Sequence, residues 1–420
     1  MKIADKLILS LTDKVLHEGR IALLCNQTSW DFTEGAYLFE LLHRRGTLHR
    51  IFIPEHGLFA ELQDQEALES GEFYKCLGLE GVDFVSLYGH SESSLSAPLD
   101  KLRDLDAIII DLQDVGCRYY TFISTVDKLF RSLSENSLAP AIYVIDRPSP
   151  TGRQVEGTLI GKEYTSFIGV EGLIHRHGLT FGELCGLLHS RYNAKFPLIV
   201  IPYTLDDKYT TSYILPGAGA SYVKTPCSIY PSPNLPSPYT CLFYSGQCLF
   251  EGTNLSEGRG TTRPFEIFGA PFLNTLHYYN SKNGYSGWND RQNPIYDKGA
   301  MLRILHYIPT FHKYAGELCY GFQLHLTGKP YHSLSHTLRI LRFLHDNMNG
   351  FAWRDGVYEK GNDKTAIELL VGDILLLDYL NGKATETEML QALAEGEEAW
   401  IKTATEYTIY PEKFIRVLLY

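Results

Sequence analysis

The chain has 420 residues, 44% hydrophobic and 21% charged, and 38 Lys+Arg against 49 Asp+Glu leave a net charge of −11. That length exceeds what one hydrophobic core normally supports, so two domains are expected. With no long run of cations, the acidic balance argues against a nucleic acid partner, whose binding needs clustered Lys and Arg on phosphates.

The first fourteen residues, MKIADKLILSLTDK, have their apolar stretch broken by Asp5, Lys6 and Asp13. They predict a short amphipathic helix and not a signal peptide, hence a cytoplasmic location. No run of eighteen apolar residues occurs, so no membrane span is expected. Eight scattered cysteines without a CxxC pair point to buried thiols in a reducing compartment, not to a zinc knuckle.

Residues 20–29 read as an apolar strand that stops at Asn26, followed by a helix with Ala36, Leu38, Leu41 and Leu42 inside. Three more apolar strands, 50–57, 82–89 and 106–111, end in Glu55 and His56, in Tyr88, and in Asp111. Directly after the last of them come Gln113, Asp114, Arg118, Tyr119, Tyr120 and Thr121. Helical spacing of Val126, Leu129, Phe130 and Leu133 leads to a fifth strand, 141–145, which ends in Asp146 and Arg147. Alternating strand and helix predict an α/β fold with a Rossmann-like parallel sheet. Ligands of such sheets bind outside the carboxyl ends of the strands. Asn26, Glu55, His56, Tyr88, Asp111, Asp114, Asp146 and Arg147 therefore share one edge. No G-x-G-x-x-G follows the first strand and no P-loop occurs, so neither a dinucleotide nor any other cofactor is expected.

Residues 151–178 look loop-rich and carry Glu156, Glu171, His175, Arg176 and His177; Thr180 and Glu183 form a capping box, and a strand at 196–202 completes the first domain. Residues 222–238, with five prolines around Asn234, predict a rigid ligand-facing loop. In 250–265, Gly252, Gly258 and Gly260 punctuate Glu251, Asn254, Glu257 and Arg259, the pattern of backbone turned tightly or held near a ligand. Helices at 329–347, 364–380 and 386–407 and a strand at 321–326 make the rest a smaller α+β domain. The expected division is a Rossmann-like catalytic domain over 1–210 and a C-terminal α+β domain over 211–420 that closes the cleft.

Carboxylates at a cleft suit glycoside hydrolysis, where one protonates the leaving oxygen and another acts as base or nucleophile. Glu55, fixed between Pro54 and Gly57, leads as acid/base; the competing reading has it capping a helix or pairing with His56 or Arg118. Asp111 continues a buried strand, whereas Asp114 lies on the loop. Arg118 either grips a substrate carboxylate in bidentate fashion or neutralises these aspartates. His56, His175 and His177 raise the question of zinc, but no H-E-x-x-H spacing occurs and no metal is expected. A serine nucleophile is not expected either, since G-x-S-x-G is missing.

The motifs PEHG (54–57), SLYG (86–89), DLQDVGCRYYT (111–121), DRPSP (146–150), VEGT (155–158), RHGLTFGEL (176–184), PSPN (231–234) and EGTNLSEGRGTTRPFE (251–266), in this order, resemble the bacterial exo-β-N-acetylmuramidase (NamZ-like) family of glycoside hydrolases. The resemblance implies removal of terminal N-acetylmuramic acid from the non-reducing end of peptidoglycan-derived glycans or muropeptides, in a cleft between the two domains. It implies catalysis by Glu55, Asp114 and Glu251. Together with the strand ends and loops read above, it gives expected substrate contacts by Asn26, His56, Tyr88, Asp111, Gln113, Arg118, Tyr119, Tyr120, Arg147, Glu156, His177, Asn234, Asn254, Ser256, Arg259 and Thr261. The lactyl carboxylate of muramic acid wants an arginine, for which Arg118, Arg147 and Arg259 are available. The sugar's own acetamido group is an alternative nucleophile, in which case one glutamate suffices. Cys117 stands where a small residue is expected, and many relatives look exported. A glycan-binding protein without catalysis and a metal-dependent hydrolase are the competing readings.

Overall fold

The computed structural model describes residues 14–62, 71–89, 92–203, 210–214, 222–226, 229, 232–359 and 362–416. The helix expected at the N-terminus, apart from its last residue, and Pro231 of the proline-rich stretch lie outside these. Five consecutive apolar residues, IALLC, are all buried in β1 (Ile21–Cys25). Such a run suits only a strand covered on both faces. The same logic holds for β2 (Leu48–Ile53), β4 (Ala107–Asp111) and β5 (Ala141–Ile145), whereas β3 (Asp83–Ser86) and β6 (Leu198–Ile201) are the less buried edges. Together they form a six-stranded sheet in the order β3-β2-β1-β4-β5-β6. Every pairing in it is parallel.

This is the doubly wound order, in which the chain reverses direction of travel between β1 and β4 and opens a crevice at their carboxyl ends. Register places Cys25 beside Asp111, and Ser29 Oγ donates to Asp111 Oδ2 at 2.5 Å across that crevice. One face of the sheet buries Ile21, Leu23, Ile51 and Ile109 against Leu38, Phe39 and Leu42 of helix α1 (Leu38–Arg45). On the other face Ala22, Leu24, Phe52 and Ile108 meet Phe122, Val126, Leu129 and Phe130 of α2 (Phe122–Glu135). This second core continues without a break through Phe243, Phe250, Leu334, Leu338 and Trp400 of the chain's later half.

That later half holds a three-stranded antiparallel sheet of Ile267–Ala270, Cys319–Leu326 and Ala300–Tyr307, in that order across the sheet. The capping boxes at Thr180 and Thr385 form as the sequence predicts, with Glu183 N–H at 3.3 Å and Glu388 N–H at 3.2 Å from the threonine oxygens. The single helix expected over 364–380 is instead two, Ala366–Val371 and Ile374–Leu380. Gly372 turns the backbone to a φ of 60°, and Asp373 caps the second helix. The segment 151–178 is not merely loop: Gln154–Leu159 pairs with Ile174–Arg176, and near the C-terminus Ile415–Arg416 adds in parallel. Charged Glu156 and Arg176 sit inside and hide the strand pattern.

The long helix Glu386–Ala404 lies directly on Gln154–Leu159. Gly396 permits this approach, since a Cβ there would stand 2.7 Å from the Gly157 carbonyl. Trp400, fully buried, donates its indole N–H to the His177 carbonyl at 2.8 Å. Trp400→Ala is expected to lower the unfolding free energy by about 3–5 kcal/mol in urea titration. Trp400→Phe, which keeps most of the packing, should lose clearly less.

Candidate active site

A cavity of about 470 Å³ opens beside the carboxyl ends of β2 and β4. Its wall takes Glu55 and His56 from the turn after β2, Tyr119, Tyr120 and Thr121 from the turn after β4, and Ser124, Asp127, Lys128 and Arg131 from α2. Residues 165–171 form another side, and Tyr244, Glu251, Arg259, Phe265, Tyr358 and Glu359 close it from the later half.

Glu55 is 8% exposed and receives a hydrogen bond from the Thr121 hydroxyl. The neighbouring backbone is unusual: His56 has a φ of 73°, a conformation that costs a non-glycine residue about 1–3 kcal/mol. His56 Nδ1 donates to the Leu62 carbonyl at 3.1 Å, which holds the turn and aims Glu55. Tyr120 is buried beside it, and its hydroxyl has no hydrogen-bond partner among the described residues. Burial first, then the charges of Glu55 and Asp114, push the Tyr120 phenol well above its usual range, so it stays a donor. Tyr119 is committed elsewhere, donating to the Ser245 carbonyl at 2.8 Å.

Glu251 has both oxygens engaged, by Arg259 Nη2 at 2.8 Å and by the Tyr358 hydroxyl at 2.7 Å. Arg259 also stands 3.4 Å from Glu257 and 5.2 Å over the Phe265 ring. Burial favours the neutral form of Glu257, but Lys313, His312 and Arg259 together outweigh it and hold the carboxyl well below the ordinary carboxylate range.

Other residues expected in the site lie behind this wall. Asp114 Oδ2 accepts from Gly116 N at 2.6 Å and from His177 Nε2 at 3.2 Å; because Leu179 N donates to His177 Nδ1 at 3.1 Å, the imidazole proton is on Nε2. Asp111 is locked in a buried ion pair with Arg147. Arg118 neither faces the cavity nor neutralises the aspartates. Its guanidinium donates to the carbonyls of Thr158, Leu370 and Val371 at 3.2, 3.0 and 2.8 Å, and burial lowers its pKa to about 10. The last two carbonyls are the negative end of Ala366–Val371, which explains how a buried cation survives there. Glu156 is equally remote from the cavity, paired with Arg176 at 2.8 Å.

Asn26 closes a turn on Thr28 at 3.0 Å, and Gln113 bridges the carbonyls of Asp114 and Pro148. Asn254 clips Gly350 and Ala352 at 2.7 and 3.0 Å, while Ser256 and Thr261 both bond Gly258. Asn26 and Gln113 thus shape the loops after β1 and β4, Asn254, Ser256 and Thr261 the loop that carries Arg259, and none of them lines the cavity. Asn234 is buried between Ser232 and Leu235, which do, and Tyr88 lines it 6.0 Å from the Phe167 ring. Cys117 packs in the core, as a small residue would.

Among the described residues, no three His, Cys, Asp or Glu side chains converge as metal ligands. His175 contacts Arg118 and the Thr158 peptide, and no helix among the described residues is long and apolar enough to cross a membrane.

The family described as exo-β-N-acetylmuramidase NamZ matches residues 21–239 with its N-terminal part and 242–410 with its C-terminal part. The chain belongs to the exo-β-N-acetylmuramidase NamZ family. One relative, the peptidoglycan β-N-acetylmuramidase NamZ of Bacillus subtilis, is 31% identical over 307 residues, 71% of this chain and 66% of that protein. The match thus spans just under two thirds of that relative. Two solved structures of DUF1343 family proteins from Bacteroides fragilis share the fold, with TM-scores of 0.73 and 0.65 at 21% and 25% identity. They align over 97% and 98% of this chain and 98% and 99% of their own.

In this member of the NamZ family, sequence reasoning missed the polar face of α2, the segment 165–171 and Glu359. Glu359 accepts from Phe167 N at 3.1 Å and Ile168 N at 2.9 Å and so ties that segment to the later half. The polar face was readable: Ser124, Lys128 and Arg131 recur at helical steps opposite the apolar stripe. The Glu359 contact spans 191 residues and carries no local signal.

The depressed Glu257 carboxyl fixes a sign. A folded-state value below the unfolded one contributes stability above the unfolded pKa, near 4.3, and loses it as pH falls. Glu257→Gln is expected to be less stable than wild type by about 3–5 kcal/mol at pH 7. Denaturation repeated from about pH 5 down toward pH 2 should show the gap narrow once pH falls below the unfolded value and keep shrinking; a gap constant over that whole range would contradict the ion cluster.

Proposed function

We propose that this protein is an exo-acting glycosidase that removes terminal N-acetylmuramic acid from the non-reducing end of peptidoglycan-derived glycans in cell-wall turnover. One observation carries the reading most: two carboxylates of opposite character share one cavity. Glu55 has a single hydroxyl partner and borders an uncommitted phenol, Tyr120. Glu251 has both oxygens held by a cation and a hydroxyl. Glu55 is the acid/base that protonates the glycosidic oxygen, and Glu251 is the fixed charge facing the oxocarbenium-like transition state. Asp114 acts from behind, holding the turn at Gly116 and the His177 ring. Tyr120 supplies a hydrogen bond to the sugar.

Membership of the NamZ family and the printed activity of the Bacillus subtilis relative support this assignment. The change from a parallel to an antiparallel sheet supports a catalytic domain over 1–210 and a closing domain over 211–420. Free thiols at all seven described cysteines fit a reducing, cytoplasmic setting.

Glu55→Gln should lower release from a chromogenic N-acetylmuramic acid glycoside by about 10²–10⁴-fold with unfolding unchanged. Activity near wild type in that variant would sink the assignment, and loss of wild-type activity to a chelator would favour a metal-dependent hydrolase.

A further inference from the structure

The cavity wall is richer in carboxylates than in cations: Glu55, Asp127, Glu171, Glu251 and Glu359 against Lys128, Arg131 and Arg259. An anionic ligand is repelled there unless one cation is left to meet it. Arg259 is not, being held by Glu251 at 2.8 Å and Glu257 at 3.4 Å. Arg131 stands 3.6 Å from Asp127 and donates to the Tyr192 hydroxyl at 3.2 Å. Lys128 is different. It is half-buried in the wall, and among the described residues it has neither an ion pair nor a hydrogen bond. Glu359 is near enough to sense its charge, but the two are not bonded, because that carboxylate is turned to Phe167 N and Ile168 N.

Its place on α2 matters as much as its freedom. Thr121 precedes the first residue of the helix and donates to Glu55, and Ser124 and Lys128 follow along the same face. Seven residues at 1.5 Å each put the Lys128 backbone ~10 Å from Thr121 along the axis. Helical side chains lean toward the N-terminus, which is the end of α2 that carries Thr121 beside Glu55. A sugar with its anomeric oxygen at Glu55 presents the substituent on its third oxygen between the two.

We propose that Lys128 is the specificity residue of this cavity, taking the lactyl carboxylate that distinguishes N-acetylmuramic acid from N-acetylglucosamine. This rests on the glycosidase reading above. It replaces Arg118 and Arg147, which the fold commits elsewhere, and Arg259, which is neutralised by glutamates.

The test compares a chromogenic N-acetylmuramic acid glycoside with its lactyl methyl ester, on wild type, Lys128→Met and Lys128→Arg. Wild type should prefer the free acid by about 10- to 100-fold in kcat/KM, the range of one charge-assisted hydrogen bond, with the difference in KM. Lys128→Met should bring the ratio toward one, and Lys128→Arg should keep most of it. A second arm measures binding of free N-acetylmuramic acid and its methyl ester by calorimetry, which reads the same ratio without turnover. Absence of cleavage with the binding ratio intact strikes the glycosidase reading alone. A Lys128→Met protein that still prefers the acid overturns the role of Lys128, whatever the activity.

Discussion

One buried carboxylate, Glu156, decides how the two halves of this chain are assembled. It projects from Gln154–Leu159, fully shielded from water, and meets Arg176 at 2.8 Å, the Ser245 hydroxyl at 2.8 Å, and the backbone N–H groups of Ser333 and Leu334 at 3.2 Å each. A charge so placed is unfavourable by several kcal/mol unless its lone pairs are all met. Here a cation, a hydroxyl and the positive end of the helix Ser333–Asn347 meet them together. The hydroxyl and the helix end come from segments 89 to 178 residues away, so any other arrangement of those segments strands part of the charge. His332 and Glu397, 2.7 Å apart, extend the same cluster toward Glu386–Ala404.

The cavity exists because of that assembly. Glu55 comes from the turn after β2 and the cation-held Glu251 from the later half, so the cavity takes its wall from both. A continuous core through Phe250, Leu334 and Trp400 makes the junction stiff. Two glutamates carried on separate elements can then keep a fixed separation, which glycoside chemistry requires more than it requires any particular loop.

The fold was legible in the sequence where burial is two-sided. IALLC and AIIID are apolar on both faces, and their polar successors mark the carboxyl edge, so the sheet and the side of it that binds could be read before any coordinates. Within the turn after β4 the sequence was less informative. Asp111, Asp114, Arg118, Tyr119 and Tyr120 are polar neighbours on one short stretch, yet only the two tyrosines and Thr121 reach the cavity. What turns Arg118 away is a set of carbonyls 252 and 253 residues distant, and no local pattern announces them. Glu156 failed for the opposite reason. A buried ion pair inside a strand imitates the composition of a loop.

The motif around residue 251 shows how a string of polar residues divides its labour. Asn254, Ser256 and Thr261 all bond backbone of the loop or its neighbours, and Glu257 anchors Lys313 and Arg259 from within the core. Of the motif's polar residues only Glu251 and Arg259 line the cavity, beside Phe265. Arg259 is thus shared between a core carboxylate that fixes it and a cavity-facing one that it fixes in turn. Glu251 is thereby held on both oxygens, whereas Glu55 has a single hydroxyl partner. Two carboxylates in one cavity thus differ in what lies behind them, and the roles proposed for them rest on that environment rather than on residue type.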